Sequence, residues 1–172
     1  MINEKVKNAM NEQIKNETYS AYLYLSMAAY FDSLGLDGMS SWMRCQAQEE
    51  MVHAMKFFDH IKDRDGRVEL LAIDKPPAEW ASPLNAFKDA YAHEQKVTAM
   101  INNIMKISHE ENDYAAISML NWFVDEQVEE EASASKVMQQ LKRIGDHGNG
   151  ILMLDKELGA RTFIYPPANA TE

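Results

Sequence analysis

The chain has 172 residues, 46% of them hydrophobic, with only 7 Gly and 5 Pro, which is enough for one full core and is a composition rich in helix formers. A net charge of −10 excludes a nucleic-acid surface and an anionic membrane as partners, and it is compatible with cations. The single cysteine, Cys45, excludes an internal disulfide framework and a C-x-x-C metal knuckle, while Met1 Ile2 Asn3 Glu4 Lys5 lacks the apolar run of a signal peptide; a soluble cytoplasmic protein is expected.

From about Asn3 to Ser33 there is no Gly or Pro, and Val6, Met10, Ile14, Glu17, Ala21, Tyr24, Ala28 and Phe31 recur at helical spacing. This predicts a long helix with Glu17 set into its apolar stripe. Tyr19, Tyr22, Leu23, Leu25, Met27 and Tyr30 make other faces of its second half apolar too, more than one monomer core should use, so part of the helix is expected to face another subunit. Gly35 and Gly38 bracket a short connection to an antiparallel helix from about Met39 to Asp65. Its stripe is Met39, Met43, Gln46, Glu50, His53, Phe57 and Ile61, with Glu50 and His53 on one face less than a turn apart.

Gly66 should end that helix. The segment Arg67 to Ser82 contains Pro76 and Pro77 and has little helical pattern. If extended it reaches ~55 Å, against ~40 Å for the preceding helix. It is therefore long enough to return along the whole bundle, so that the third helix runs parallel to the second. Ser82 and Pro83 form an N-cap and first-turn pair for that helix, which extends to about His109 with the stripe Phe87, Ala90, Glu94, Val97, Ile101 and Ile104. A fourth helix from about Asp113 to Ile144 carries Ala116, Leu120, Phe123, Gln127, Glu130, Ala134, Val137, Leu141 and Ile144. Ile151 to Leu158 reads as a short fifth helix stopped at Gly159, again more apolar than one contact face requires. The expected architecture is all-α: a four-helix bundle with a long crossover between the second and third helices plus a short fifth helix over residues 1–160, and a C-terminal tail over 161–172. Asn169 Ala170 Thr171 matches a glycosylation acceptor and reads as chance without a signal peptide.

Each long helix thus places a carboxylate mid-stripe: Glu17, Glu50, Glu94 and Glu130, with His53 and Gln127 one turn from two of them. In a bundle these positions converge. An unpartnered buried carboxylate costs several kcal/mol, and no Lys or Arg occupies the central stripe positions. The acids therefore need cations from outside the chain. Four carboxylates and one imidazole suit a medium-hard first-row metal better than structural zinc, and four charges neutralise two divalent ions. Carboxylate-bridged di-iron bundles use a Glu from each of two helices and Glu-x-x-His from two others. Here the fourth helix reads Gln127 x x Glu130, so the second ion is held less firmly: Glu17, Glu50 and His53 for the first ion, and Glu50, Glu94 and Glu130 for the second, with Glu50 bridging.

The chain resembles the prokaryotic non-haem ferritins. The likeness lies in Asn11 Glu12 Gln13 through Glu17 and Tyr24, in Gln48 Glu49 Glu50 Met51 Val52 His53, in Tyr91 Ala92 His93 Glu94 Gln95, and in Trp122 Phe123 Val124 Asp125 Glu126 Gln127 Val128 Glu129 Glu130 Glu131. The resemblance implies an iron-storage protein: a 24-subunit homo-oligomeric shell that oxidises Fe(II) with O2 or H2O2 and stores Fe(III) mineral inside. It implies ferroxidase ligands at Glu17, Glu50, His53, Glu94 and Glu130 with Gln127 close by. It further implies a third iron site at Glu49, Glu126, Glu129 and Glu130, and a Tyr24 that hydrogen-bonds to the centre and can supply an electron. On the residues alone, Glu49, Glu126 and Glu129 lie about 100° from the stripe, where solvated charge is the default. No haem is expected. The competing expectations are a bacterioferritin, for which Met51 stands where that family has its haem-ligating methionine, and a non-catalytic shell protein whose acids bind no iron.

Overall fold

The computed structural model describes residues 1–165 and contains five helices: α1 (Glu4–Ser33), α2 (Asp37–Asp63), α3 (Pro83–Glu110), α4 (Tyr114–Ile144) and α5 (Gly148–Leu158). No strand occurs among the described residues. Residues 166–172, which include most of the expected tail and the Asn169 acceptor, lie outside them. The caps are local. Asn3, Ser82 and Asp113 accept from the backbone N–H groups of Lys5, Asn85 and Ala116, satisfying donors that the first turn of a helix leaves open.

α1 packs on α2 and α3 on α4, with α1 also against α3 and α5 against α2 and α4. The crossover runs along α1: the Glu69 amide donates to Asn11 Oδ1, Ser26 Oγ donates to the Pro77 carbonyl, and Trp80 packs edge-on against Tyr30 at 5.3 Å. It therefore carries the chain from one end of the bundle to the other, and α3 starts beside the end of α1, with Phe31 and Phe87 5.6 Å apart. At the opposite end Lys5 and Asn3 bind Glu111, and Arg64 pairs with Asp113 at 2.7 Å, closing α1, α2, α3 and α4 together.

Three connections depart from the sequence expectation: α5 begins at Gly148, three residues before the expected Ile151, and the other two lie at the ends of α2. α2 begins at Asp37, so Gly38 lies inside its first turn and not in the connection. The reason is a close approach. A Cβ on Gly38 would stand 1.7 Å from the Asp155 carbonyl oxygen of α5. Leu36 supplies no capping side chain, and the Met39 amide donates instead to Asp155 Oδ1 at 2.7 Å. α5 thus caps α2 from a distance, which requires Gly38. At the other end α2 stops at Asp63, and the left-handed residue of the turn is Asp65 (φ 56) where Gly66 was expected to break the helix.

The predicted stripes are the core. Every apolar residue assigned to them is buried except Ile144, which is half-buried. The core divides into two clusters, one around Tyr24, Met27, Phe31, Met43 and Phe87, the other around Ile14, Phe57, Val97, Ile101 and Phe123. Between them lies the layer of stripe glutamates. Of the surplus apolar residues on α1, Leu23, Met27 and Tyr30 are covered by the chain itself, whereas Tyr22 (52%) and Leu25 (49%) are exposed. Met51, Met55, Leu70 and Ile73 are exposed as well, on α2 and the crossover, as are Leu152 and Met153 on α5. Apolar surface of this extent fits the expected subunit packing.

Candidate metal centre

Each of the four long helices brings its mid-stripe acid to the interior: Glu17, Glu50 and Glu94 are 1% exposed and Glu130 is 6% exposed. They converge because each sits at the same depth of its helix, between the two apolar clusters. Glu17, Glu50 and His53 form one group whose donor atoms lie within 4.8 Å of one another, and His53, Glu126 and Glu130 form another. His53 stands between them, with Nδ1 3.4 Å from Glu50 Oε2 and Nε2 3.8 Å from Glu126 Oε1. Its ring packs edge-on against Trp122 and Phe123, which hold its plane.

Amides and a phenol orient the carboxylates. Gln13 Nε2 donates to Glu17 Oε1 at 2.9 Å, and Gln46 Nε2 donates to Glu130 Oε2 at 2.7 Å. Tyr24 Oη donates to Glu94 Oε1, as the resemblance implied, and Gln127 Nε2 lies 3.3 Å from Glu94 Oε2. These neutral donors bring no positive charge. Among the described residues no Lys or Arg makes an ion pair with Glu17, Glu50, Glu94 or Glu130. Glu17 Oε2 and Glu50 Oε1 are buried with no hydrogen-bond partner. Burial of such groups is unfavourable unless a ligand uses them.

The electrostatics follow from that crowding. Burial, and then the charge of Glu50, pushes the Glu17 carboxyl up to about 8. Burial and Glu130 raise Glu94 to about 8; Glu50 and Glu130 are raised too, in both cases chiefly by burial. Burial pulls the His53 imidazole down, but Glu50, Glu126 and Glu17 outweigh it and hold the ring well above its usual 6.5. Without a metal the centre is therefore a store of protons. For Glu17 the folded value of about 8 lies above the usual 4.5, so folding takes up a proton. That stabilisation is complete below about 4.5 and is lost as pH rises through about 8; the raised His53 acts in the same sense. The metal-free protein is expected to melt at lower temperature near pH 8.5 than near pH 6, and Zn(II) should restore most at the alkaline end. Calorimetric melting points that follow the same pH curve with and without Zn(II) would contradict this account.

The third site implied by the resemblance is only partly gathered. Glu126 joins His53 and Glu130, but Glu129 is exposed and Glu49 is engaged by Arg161. Gln46, Gln13 and Thr98, which lies 3.3 Å from Gln127 Nε2, were not singled out as site residues. The amides carried a faint signal, since Gln13 and Gln46 each sit one turn before a stripe carboxylate. A cavity of about 490 Å³ lies apart from the carboxylates, under the crossover near Lys15, Trp80 and His93.

Residues 7–144 match the Ferritin-like domain family. The chain belongs to this ferritin family. It is 40% identical over 163 residues to a bacterial non-heme ferritin of Staphylococcus aureus (strain USA300), covering 95% of this chain and 98% of that one. The corresponding protein of Staphylococcus saprophyticus is 42% identical over 163 residues with the same coverage. Among solved structures, the open-pore ferritin of the hyperthermophilic archaeon Archaeoglobus fulgidus is 52% identical, with a TM-score of 0.93 over 94% of this chain and all of that one. An engineered closed form of the same archaeal ferritin matches with a TM-score of 0.94 over 95% of this chain. The all-α ferritin-like bundle with a long crossover is thereby shown. No helix among the described residues is long and apolar enough to cross a membrane.

Proposed function

We propose that the chain is the subunit of an iron-storage ferritin that oxidises Fe(II) at the middle of its bundle and passes Fe(III) to a mineral inside a shell of 24 copies. The observation that carries this reading is the set of four buried acids from four helices, Glu17, Glu50 and Glu130 gathered with His53 and Glu94 beside them, with two carboxylate oxygens lacking any partner and no ion pair from Lys or Arg to any of the four among the described residues. Oxygen ligands with one imidazole suit iron, and they favour the ferric product because the more highly charged ion gains more from carboxylates. The exposed apolar faces of α1, α2 and α5 support assembly of identical subunits, each built on the bundle of residues 1–160.

Iron is the substrate. Two Fe(II) ions displace the protons of the centre and bind, one at Glu17, Glu50 and His53 and the other at Glu50, Glu94 and Glu130. Each gives up one electron; O2 takes two electrons from the pair and two protons from solvent to give H2O2, and H2O2 takes two electrons from a further Fe(II) pair and two protons from solvent to give two waters. Tyr24, hydrogen-bonded to Glu94, keeps that carboxylate in place and is poised to supply an electron. Gln127 replaces a charged or imidazole ligand with an amide, which holds the second ion weakly and lets the product leave. Glu126, Glu49 and Glu129 with Glu130 form the rim over which a third ion passes.

The test is anaerobic loading of two Fe(II) per subunit followed by air, with absorbance followed in the near ultraviolet and visible. A fast rise saturating near two irons per subunit is expected. Glu130→Ala should slow it by roughly tenfold or more while the shell still assembles, and unchanged kinetics would remove Glu130 from the centre. Oxidation no faster than in buffer would leave a non-catalytic shell. Met51 is 44% exposed on an apolar groove with Ile14 and Leu71, which is the feature that keeps a haem reading in view. A Soret band in the purified protein would establish it.

A further inference from the structure

After α5 the chain turns back over α2, and Arg161 there touches three residues of one α2 stripe. Its Nη2 donates to Glu49 Oε2 at 2.5 Å, its guanidinium lies 4.7 Å over the Trp42 ring, and its carbonyl accepts from Cys45 Sγ at 3.7 Å. Trp42, Cys45 and Glu49 follow helical spacing, so the segment is seated along the helix and not attached by one bond. Both side chains of the ion pair are about three-quarters buried, with 26% and 24% exposed. Stacking on Trp42 fixes the guanidinium, which reduces the ordering cost that makes most surface pairs weak.

Glu49 precedes Glu50, and its carboxylate feels both His53 and Glu126. By position it belongs to the acidic rim of the centre. It is nevertheless absent from the compact donor set of His53, Glu126 and Glu130. Arg161 holds one of its oxygens, and a guanidinium and a divalent ion on the same carboxylate repel each other. The fork is also incompletely used, because Arg161 Nη1 is buried without a partner, so the pair is held through one nitrogen and not both.

We propose that Arg161 is a resident counter-cation for Glu49, which a metal cation on the rim must displace. It is a positioning residue: it sets how readily Glu49 joins the rim and so keeps an outer ion loosely bound, favouring passage over retention. The inference rests on the reading of this rim as a cation route. It is tested by calorimetric titration of the assembled, iron-free shell with Zn(II), which undergoes no oxidation. Arg161→Gln is expected to tighten the outer class of Zn(II) by about five- to tenfold, with a much smaller change at the inner pair, on which Arg161 acts only through its field at Glu130. In a Glu49→Gln background the same substitution should give only that small change. Arg161→Lys keeps the charge and the stem but loses the fork, and should give a smaller rise in the same direction, which serves if the glutamine variant does not assemble. Equal outer affinities in the parent, lysine and glutamine proteins, or a rise of the same size without Glu49, would overturn the role of Arg161. Absence of any Zn(II) class sensitive to Glu50→Ala would overturn the metal centre and the counter-cation with it, so the two failures are read separately.

Discussion

Replacing Glu50 by alanine is expected to reduce the initial rate of Fe(II) oxidation by roughly a hundredfold or more, and to abolish saturation near two irons per subunit. On the proposed two-ion reading Glu50 has this weight because it would serve both ions. It belongs to the Glu17 and His53 group, lies 3.4 Å from the imidazole, and is the one acid whose charge acts on Glu17 and is acted on by Glu94 and Glu130. On that reading its removal takes a ligand from both ions at once, whereas loss of Glu17 or Glu130 weakens one. The fold should tolerate the change. A buried acid with an unpartnered oxygen is itself unfavourable, so relief of that strain offsets lost packing, and stability should shift by no more than about 2 kcal/mol. Stopped-flow absorbance gives the rate and thermal melting the stability. A variant that oxidises iron at the parent rate would remove Glu50 from the mechanism; one that fails to fold would show the carboxylate to be structural.

Gly38→Ala should be the most damaging of the small substitutions outside the centre. The added Cβ would stand 1.7 Å from the Asp155 carbonyl oxygen and 3.0 Å from the Gly159 nitrogen, both backbone atoms that no rotamer change can move. α5 must then lift from α2. The Met39 amide loses its Asp155 cap, and Leu154 and Leu158, now buried, lose part of their cover. Overpacking and a lost cap together cost roughly 3–5 kcal/mol. For a domain of this size that is a fall of roughly 10 °C in melting temperature. Scanning calorimetry measures the fall, and size-exclusion chromatography reports whether the displaced helix also impairs assembly. An alanine at Gly35, where the residue has φ +69 but open space around its Cβ, should cost only about 1 kcal/mol, through backbone strain alone. Similar melting points for the two variants would overturn the close α2–α5 approach as the reason for Gly38.

The helices and the convergence of Glu17, Glu50, Glu94 and Glu130 were legible in the chain because both depend on periodicity, and a stripe at 3.6 residues per turn reports its own burial. Tyr24 was legible for the same reason, since it falls on the stripe of Glu17. Even the course of the crossover could be read, because chain length and helix rise limit where so long a segment can lead. Contacts between stripes are another matter. Nothing in the local sequence says that Gln46 serves Glu130 on α4 and not Glu50 on its own helix, because that choice depends on how α2 and α4 rotate against each other. Gly38 looked like a turn residue, since glycine near a helix start usually is one; its requirement comes from Asp155, more than a hundred residues away. Arg161 gave no signal at all, as an isolated charge beyond the last helix reads as solvated until the backbone turns and lays it on Trp42 and Glu49. The amino-acid sequence by itself determined which residues are interior and which acids share a depth, through side-chain chemistry repeated at the helical period. Only the tertiary structure decided which partner each polar group meets, because those pairings are set by packing between elements whose separation along the chain carries no local pattern.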